Sequence, residues 1–354
     1  MLYYVTREQH AYTIDRLLGS FKTSWLPAPD MRRLSYETLF ALRRAPIGNY
    51  VFTDIDRLSG YEIDAAGKIA SSLEHASPGV LISNHPNRVL NRYALLRRLY
   101  EAGINSFNVW RLDEERMPTA YPVFIRREQD ALGAESPLLH NEREYRDAVA
   151  DLLASGKGLT GRLAVQYVRA TGSDGMHRKY GAFCLRGLIV PQHLMISDSW
   201  VVKRELTDAA ADLSEEEEAY VTSNPHADRV REIFRLAEID FGRMDYGLVD
   251  GRMEVFEINT NPNFPRARIT QDRKMIRRRI VVEGVVAGFA AMDGAPHAQG
   301  LVRVRTPKPK LHRLRNRPWT RRFKDALTWC RWRAAGLRTV SKPVEQGQPK
   351  PEPE

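Results

Sequence analysis

The stretch ‘RMDYGLVDGRMEVFEINTNPNFP’, Arg243 to Pro265, places an arginine, two carboxylates and an amide around a turn in an otherwise apolar, strand-like run. Glu257 and Asn259 are two apart on a strand and so share one face. Whether Asp245 joins them depends on the turn. A two-residue turn at Asp250-Gly251 pairs Val249 with Arg252 and sends Asp245 to the face opposite Glu257. A three-residue loop, Val249-Asp250-Gly251, with Gly251 in a left-handed bulge conformation, sets Arg243 opposite Glu257 and Asp245 opposite Val255. The bulged loop is the expectation here. It gathers Arg243, Asp245, Glu257 and Asn259 on one side and leaves Met244, Tyr246, Leu248, Phe256 and Ile258 to pack on the other.

Two carboxylates and an amide oxygen are hard ligands suited to Mg²⁺, with Mn²⁺ as an alternative, in an octahedron completed by water or phosphate oxygens. Neutral Asn259 adds an oxygen without adding negative charge, and Arg243 can hold a phosphate or a developing oxyanion. The competing reading is an Arg243–Glu257 salt bridge on a solvated sheet face, followed by Asn-Pro turn chemistry.

The chain has 354 residues, 43% of them hydrophobic, enough for a sizeable core and two or three domains. Cys184 and Cys330 lie far apart, which is neither a disulfide framework nor a zinc spacing and fits a reducing cytoplasm. The first residues lack the pattern of a secretory signal. The most apolar window, Ile280 to Met292, carries Glu283 and is too short to span a bilayer; it reads as a buried helix. Residues 301–354 hold 15 Lys+Arg against 4 Asp+Glu, whereas the first 300 hold 39 against 40. The net charge of +10 therefore belongs to a tail.

Working outward from the hairpin, residues 1–45 read as helical pieces. Residues 46–112 alternate strand and helix (‘NYVFTDIDRLS’, ‘GVLISN’, ‘RVLNRYALLRRLYEAG’, ‘INSFNVW’), as a small parallel α/β unit does. Residues 113–297 mix strands and helices in the manner of an α+β domain. ‘TAYPVFIRRE’, ‘GRLAVQYV’ and ‘SWVVKRE’ read as strands, and ‘FCLRGLIVPQHLM’ as a hairpin turning at Arg186-Gly187. Residues 298–354 form a basic, partly flexible extension.

The segment ‘GRMDYG…GRMEVFEINTNP’ resembles the closing metal motif of the ATP-grasp superfamily, as in D-alanine–D-alanine ligase and related carboxylate–amine ligases. The resemblance extends in element order over residues 46 to 295 and implies an ATP-grasp fold with a pre-ATP domain at 46–112. It implies two magnesium ions, bridging ATP phosphates, on Asp245, Glu257 and Asn259, with Arg243 on the phosphate side. ‘YPVFIRR’ stands where that family carries a phosphate-binding lysine; here the position is Arg126, with Arg127 beside it, which keeps the charge and gains a fork for phosphate oxygens. ‘LAVQYV’ stands at the adenine hinge, where Gln166 replaces the usual acid and Tyr167 and Val168 offer backbone groups. Lys179 and Lys203 are further candidates for the triphosphate, Lys203 being favoured. Asp174 is a candidate for the ribose hydroxyls, with a solvated loop as the alternative. His85 and Asn87, after a parallel strand, are candidates for the acceptor substrate. His193 reads as a sheet histidine more readily than as a base.

The implied activity is ATP- and Mg-dependent ligation: a carboxylate attacks the γ-phosphate, and an amine or other nucleophile displaces phosphate from the acyl phosphate. Charge neutralisation and alignment are the protein's task, with Lys203 and Arg243 as the catalytic candidates. Two alternatives remain open. One is an ATP-grasp-type kinase of a small molecule. The other is a nucleotide-binding protein whose tail, with Trp319, Phe323, Leu327, Cys330 and Ala334 on one helical stripe among arginines, binds anionic membrane, nucleic acid or an acidic partner.

Overall fold

The computed structural model describes residues 1–129, 133–202, 211–267, 275–294 and 300–304. All of them lie in the compact unit Met1–Pro307, and the second unit, Lys308–Glu354, lies outside the described residues, as does the aromatic stripe of the tail. Strands β1 (Leu2–Thr6), β2 (Met31–Ser35), β3 (Arg44–Pro46), β4 (Asn49–Phe52) and β5 (Ile82–Ser83) come first, with helices α1 (Tyr12–Ser20), α2 (Tyr36–Ala41) and α3 (Gly60–Ala76) between them. A parallel sheet of order β2-β1-β4-β5 results. Its central strands, β1 and β4, are buried on both faces. α3 starts at a capping box made by Ser59 and Glu62 and buries Ala65, Ala66, Ile69, Ala70 and Leu73.

This corrects the expected helical segment at 1–45. Two of its stretches, β1 and β2, are strands of the parallel sheet, and β1 supplies one of its centres. The boundary at 298 also shifts in meaning. Strand β13 (Leu301–Arg303) pairs antiparallel with β3, and Val304 is buried against the core of the parallel sheet, so the first residues of the expected tail belong to the fold.

After α4 (Arg92–Glu101) the strands β6 (Val109–Arg111), β7 (Val123–Arg127) and β8 (Arg162–Gln166) form an antiparallel sheet of order β6-β8-β7, with α5 (Glu142–Ala154) inserted between β7 and β8. ‘INSFNVW’ thus supplies the edge of this second sheet through β6, not a third parallel strand. A larger antiparallel sheet follows, built from β9 (His177–Leu185), β10 (Leu188–Ser197), β11 (Phe241–Val249) and β12 (Arg252–Asn259) in the order β10-β9-β11-β12. The β9–β10 turn falls at Arg186-Gly187, both with positive φ, as the sequence predicts. The strand expected over ‘SWVVKRE’ is a bent loop as far as Val202, and the rest of that segment lies outside the described residues.

Helices α6 (Ala211–Ser223), α7 (Ala227–Leu236) and α8 (Met275–Asp293) pack with this sheet in one apolar core. α8 buries Val281, Val282, Val285, Phe289 and Met292, in line with the buried helix expected at 280–292. No helix among the described residues is long and apolar enough to cross a membrane.

Candidate nucleotide and metal site

The β11–β12 hairpin turns at two residues, Asp250 (φ 49°) and Gly251 (φ 77°), with Val249 paired to Arg252. The three-residue loop expected from sequence is not formed. Left uncorrected, this turn would send Asp245 away from Glu257. A bulge reverses the outcome: Tyr246 pairs with Val255, but Asp245 pairs with Glu257 and Arg243 with Asn259, so Phe256 is the extra residue. The four polar groups therefore do share a face. Phe256 pays the register shift and leaves its expected side to line the cleft with Arg126 and Lys179.

A second irregularity, at Gln192 on β10, completes the row. His193, Gly181, Asp245 and Glu257 stand abreast on the four strands. Gly181 is required there, because a Cβ would meet the His193 ring at 2.5 Å. Arg243 grips Asp245 through Nε at 2.7 Å and Nη2 at 3.2 Å, and Lys179 Nζ stands 3.3 Å from the same carboxylate. Burial alone would raise the Asp245 carboxyl, but Arg243 and then Lys179 hold it well below the usual carboxylate range. Glu257 Oε2 accepts from Arg92 Nη2 at 2.6 Å and from Arg126 Nη2 at 3.2 Å. Burial is again outweighed, here by Arg92 and Arg126, and Glu257 stays ionised. Asn259 Oδ1 accepts the Asn261 N–H at 2.8 Å, which fixes the ‘NTN’ turn.

Among the described residues no three His, Cys, Asp or Glu side chains cluster to hold a metal. The donor set is instead an ionised carboxylate pair facing each other across two strands plus the Asn259 amide oxygen, and this chemistry fits a hard divalent ion. Four cations meet the two carboxylates, so the site carries a surplus of positive charge that suits a polyanion.

The cleft beside this row is a slot of about 120 Å³ whose walls include Gln166, Tyr167, Val168, Lys179, Arg126 and Phe256. Trp200 caps it, with its ring 5.1 Å from Phe124 and 5.9 Å from Tyr167. Alternation on β7 puts Phe124 and Arg126 on one face, so the strand delivers an aromatic wall and a cation together. Arg127 points elsewhere and pairs with Glu135 at 3.2 Å.

The geometry places the remaining candidates individually. Gln166 Oε1 accepts the Asn108 N–H at 3.1 Å, so one of its lone pairs is engaged within the fold. The Tyr167 N–H donates to the Pro122 carbonyl at 2.8 Å, so that donor is engaged within the fold, while Tyr167 and Val168 line the slot. Asp174 is held by Arg178 at 2.8 and 3.0 Å, and Glu216 holds the same guanidinium from the other side; Asp174 is absent from the slot's walls. Its loop is an ion-paired turn. Lys203 lies outside the described residues, and Lys179 reaches Asp245. His85 and Asn87 diverge. His85 lines a separate cavity with Cys184 and Arg186, and Asn87 packs over Gly67 and lines a cavity beside Arg92.

Three residues escaped the sequence reading: Arg92, Trp200 and Phe124. Phe124 had a signal, its place two before Arg126 on the same strand. Arg92 comes from a helix 165 residues away from Glu257 in sequence, and nothing local announces that contact.

No family model matches the chain, and no curated protein does either. Solved structures similar to it include D-alanine–D-alanine ligase from Bacillus anthracis complexed with ATP, at 11% identity and a TM-score of 0.46 over 83% of this chain and 96% of that one. A RimK domain ATP-grasp protein from Sphaerobacter thermophilus is 14% identical, with a TM-score of 0.44 over 82% of this chain and 100% of that one. With L-amino acid ligase from Bacillus licheniformis the chain shares 15% identity and a TM-score of 0.38, over 82% of its own length and 73% of the other's.

Proposed function

We propose that the chain is an ATP- and magnesium-dependent ligase that activates a substrate carboxylate as an acyl phosphate for attack by a nucleophile. The observation that carries this reading is the opposed pair Asp245 and Glu257, ringed by Arg243, Lys179, Arg92 and Arg126, at the side of an aromatic slot. Bound on Asp245, Glu257 and Asn259, the metal would supply positive charge against phosphate oxygens. Arg126 and Lys179 align the phosphates, and Lys203 is proposed as a further phosphate contact. Arg243 faces the oxyanion that develops at the acyl carbon. Trp200, Phe124 and Phe256 offer flat apolar faces to the base, and Gln166 with the Tyr167 carbonyl offers acceptors for its amine.

Titration calorimetry of Mg-ATP into wild type and Glu257→Gln tests the binding half. Loss of this ligand should weaken binding about ten- to a hundredfold. Equal affinities in both proteins would leave the assignment without support. Incubation with Mg-ATP, hydroxylamine and a panel of short carboxylic and amino acids tests the chemistry. An acyl phosphate yields a hydroxamate, whereas the kinase alternative yields none.

A further inference from the structure

Among the described residues, the non-glycine positions with a positive φ are Asp54, Asn84, Arg186, Asn224, Glu238 and Asp250. Asp and Asn tolerate this left-handed backbone; Arg and Glu do so poorly. Yet Arg186 (φ 50°) and Glu238 (φ 55°) both line the same cavity, of about 410 Å³. Arg186 holds the first position of the two-residue β9–β10 turn, where Asn or Gly is favoured. Glu238 follows α7 in a Schellman cap: its N–H donates to the Arg235 carbonyl at 3.1 Å, and the Ile239 N–H donates to the Phe234 carbonyl at 3.1 Å. Glycine is the usual occupant of that position. At two separate turns a charged side chain stands where the backbone favours a smaller residue, and both turns meet at one cavity. Residues held in such backbone cluster at active sites and ligand clamps.

Arg88, Arg231, Arg235 and Asp240 also stand on the walls, so four guanidinium groups face two carboxylates. Arg231 is fixed across the turn by its Nε, which donates to the Gly187 carbonyl at 2.9 Å, while its Nη1 meets the solvated Asp228 at 2.5 Å. Arg186 Nη1 donates to Ser83 Oγ at 3.3 Å and stands 4.0 Å from Asp240. Asp240 also accepts the Asn84 N–H, at 3.0 Å. Arg88 is exposed and lies 3.8 Å from Glu74. The side chains of Arg235 and Glu238 have no partner among the described residues. Ion pairs this solvated or this long contribute little and yield to a better anion. The negative end of α7 does not oppose one. The cap takes the Phe234 and Arg235 carbonyls, and Arg98 Nη1 donates to that of Leu236 at 3.2 Å.

We propose that this cavity is a second binding site, apart from the nucleotide slot, for the phosphate monoester of a small polyol. The two have no wall residue in common. The arginines take the phosphate, whose charge and oxygens suit planar guanidinium forks. Glu238 accepts from the hydroxyl groups of the polyol. A dicarboxylate would set its second anion against Glu238, and an ammonium ligand would meet the four guanidinium groups as a like charge. A polyol without phosphate would leave those groups without their anion.

Isothermal titration of the full chain, free of nucleotide, with glycerol 3-phosphate, inorganic phosphate, sulfate and glycerol at one ionic strength tests this. Glycerol 3-phosphate should bind saturably and more tightly than phosphate or sulfate, and glycerol should not bind. Arg186→Asn and Arg235→Gln should each weaken the ester about ten- to a hundredfold. Glu238→Asn should remove the ester's advantage over inorganic phosphate. Because asparagine tolerates left-handed backbone, Arg186→Asn and Glu238→Asn should melt no lower than wild type. Arg126→Gln, which alters the slot, should bind the ester as wild type does. No binding of the ester, sulfate or phosphate binding as tightly as the ester, or an unchanged ester affinity in Arg186→Asn and Arg235→Gln would overturn the proposal. Loss of the ester in Arg126→Gln would move it to the slot and do the same. Asparagine variants that melt below wild type with ester affinity intact would assign both side chains to the fold alone, again against the proposal.

Discussion

His193 shows how closely single side chains are tuned at this site. It is buried beside Arg243, Asp245 and Lys179, its Nε2 makes no hydrogen bond among the described residues, and burial lowers its imidazole to about 3. A neutral ring in the folded chain and an ordinary ring in the unfolded one mean that the unfolded state binds the extra proton below about pH 6.5. Stability contributed by the neutral ring is complete above that pH and is lost as pH falls from there toward 3. By pH 5 the loss attributable to His193 should be about 2 kcal/mol. Urea unfolding of wild type and His193→Gln at pH 7 and pH 5 measures it, and the gap between the two proteins should change by that amount. An identical pH response in both would mean that the ring is already solvated or charged.

At the scale of elements, the hairpin carries the lesson about what can be read in advance. The clustering of Arg243, Asp245, Glu257 and Asn259 was legible because strand alternation is strict and the residue types are unusual for a sheet face. The route to it was not. Asp250-Gly251 makes a plain two-residue turn, and the bulge at Phe256 restores the common face. Nothing in ‘EVFEIN’ marks Phe256 as the extra residue, since its displacement is rewarded only by packing in a cleft built from β7 and β8. β1 was missed for a related reason: five residues become a central strand only because β2 and β4 arrive on either side. Arg92 and Trp200 likewise depend on contacts between distant segments. Helix α8 gives a prediction at this scale. A Cβ on Gly288 would sit 2.7 Å from Leu185, and one on Gly284 2.8 Å from Val190, so the helix presses its glycines onto β9 and β10. Gly288→Val should cost about 2–3 kcal/mol in urea unfolding, whereas Gly19→Ala, in α1 with open space around it, should gain up to about 1 kcal/mol. Similar effects at both positions would show that the close approach is not felt.

For the whole molecule, the pairing of β13 with β3 matters to any study of the basic tail. β13 pairs with β3, and Val304 is buried. Deleting 301–354 in place of 305–354 also removes the pairing and should lower the melting temperature by about 1.5–3 °C more than the shorter deletion does, the equivalent of roughly 1–2 kcal/mol in a chain this size. Differential scanning calorimetry reads both. The shorter deletion is then the clean one for asking whether the tail sediments with anionic vesicles or RNA. A protein that melts alike after either cut would mean that the β3–β13 ladder adds nothing.

The two arginine-clamped carboxylates have a consequence for the order of events at the site. Asp245 and Glu257 already hold side-chain cations before any ligand arrives, so a bare divalent ion approaching them is met by four positive neighbours and little unspent negative charge. A triphosphate travelling with its ion offers those same arginines and Lys179 new anions in exchange. Loading of the proposed enzyme is thus a swap of companions in which nucleotide and metal make room for each other, and neither half of the pair fits comfortably without the other.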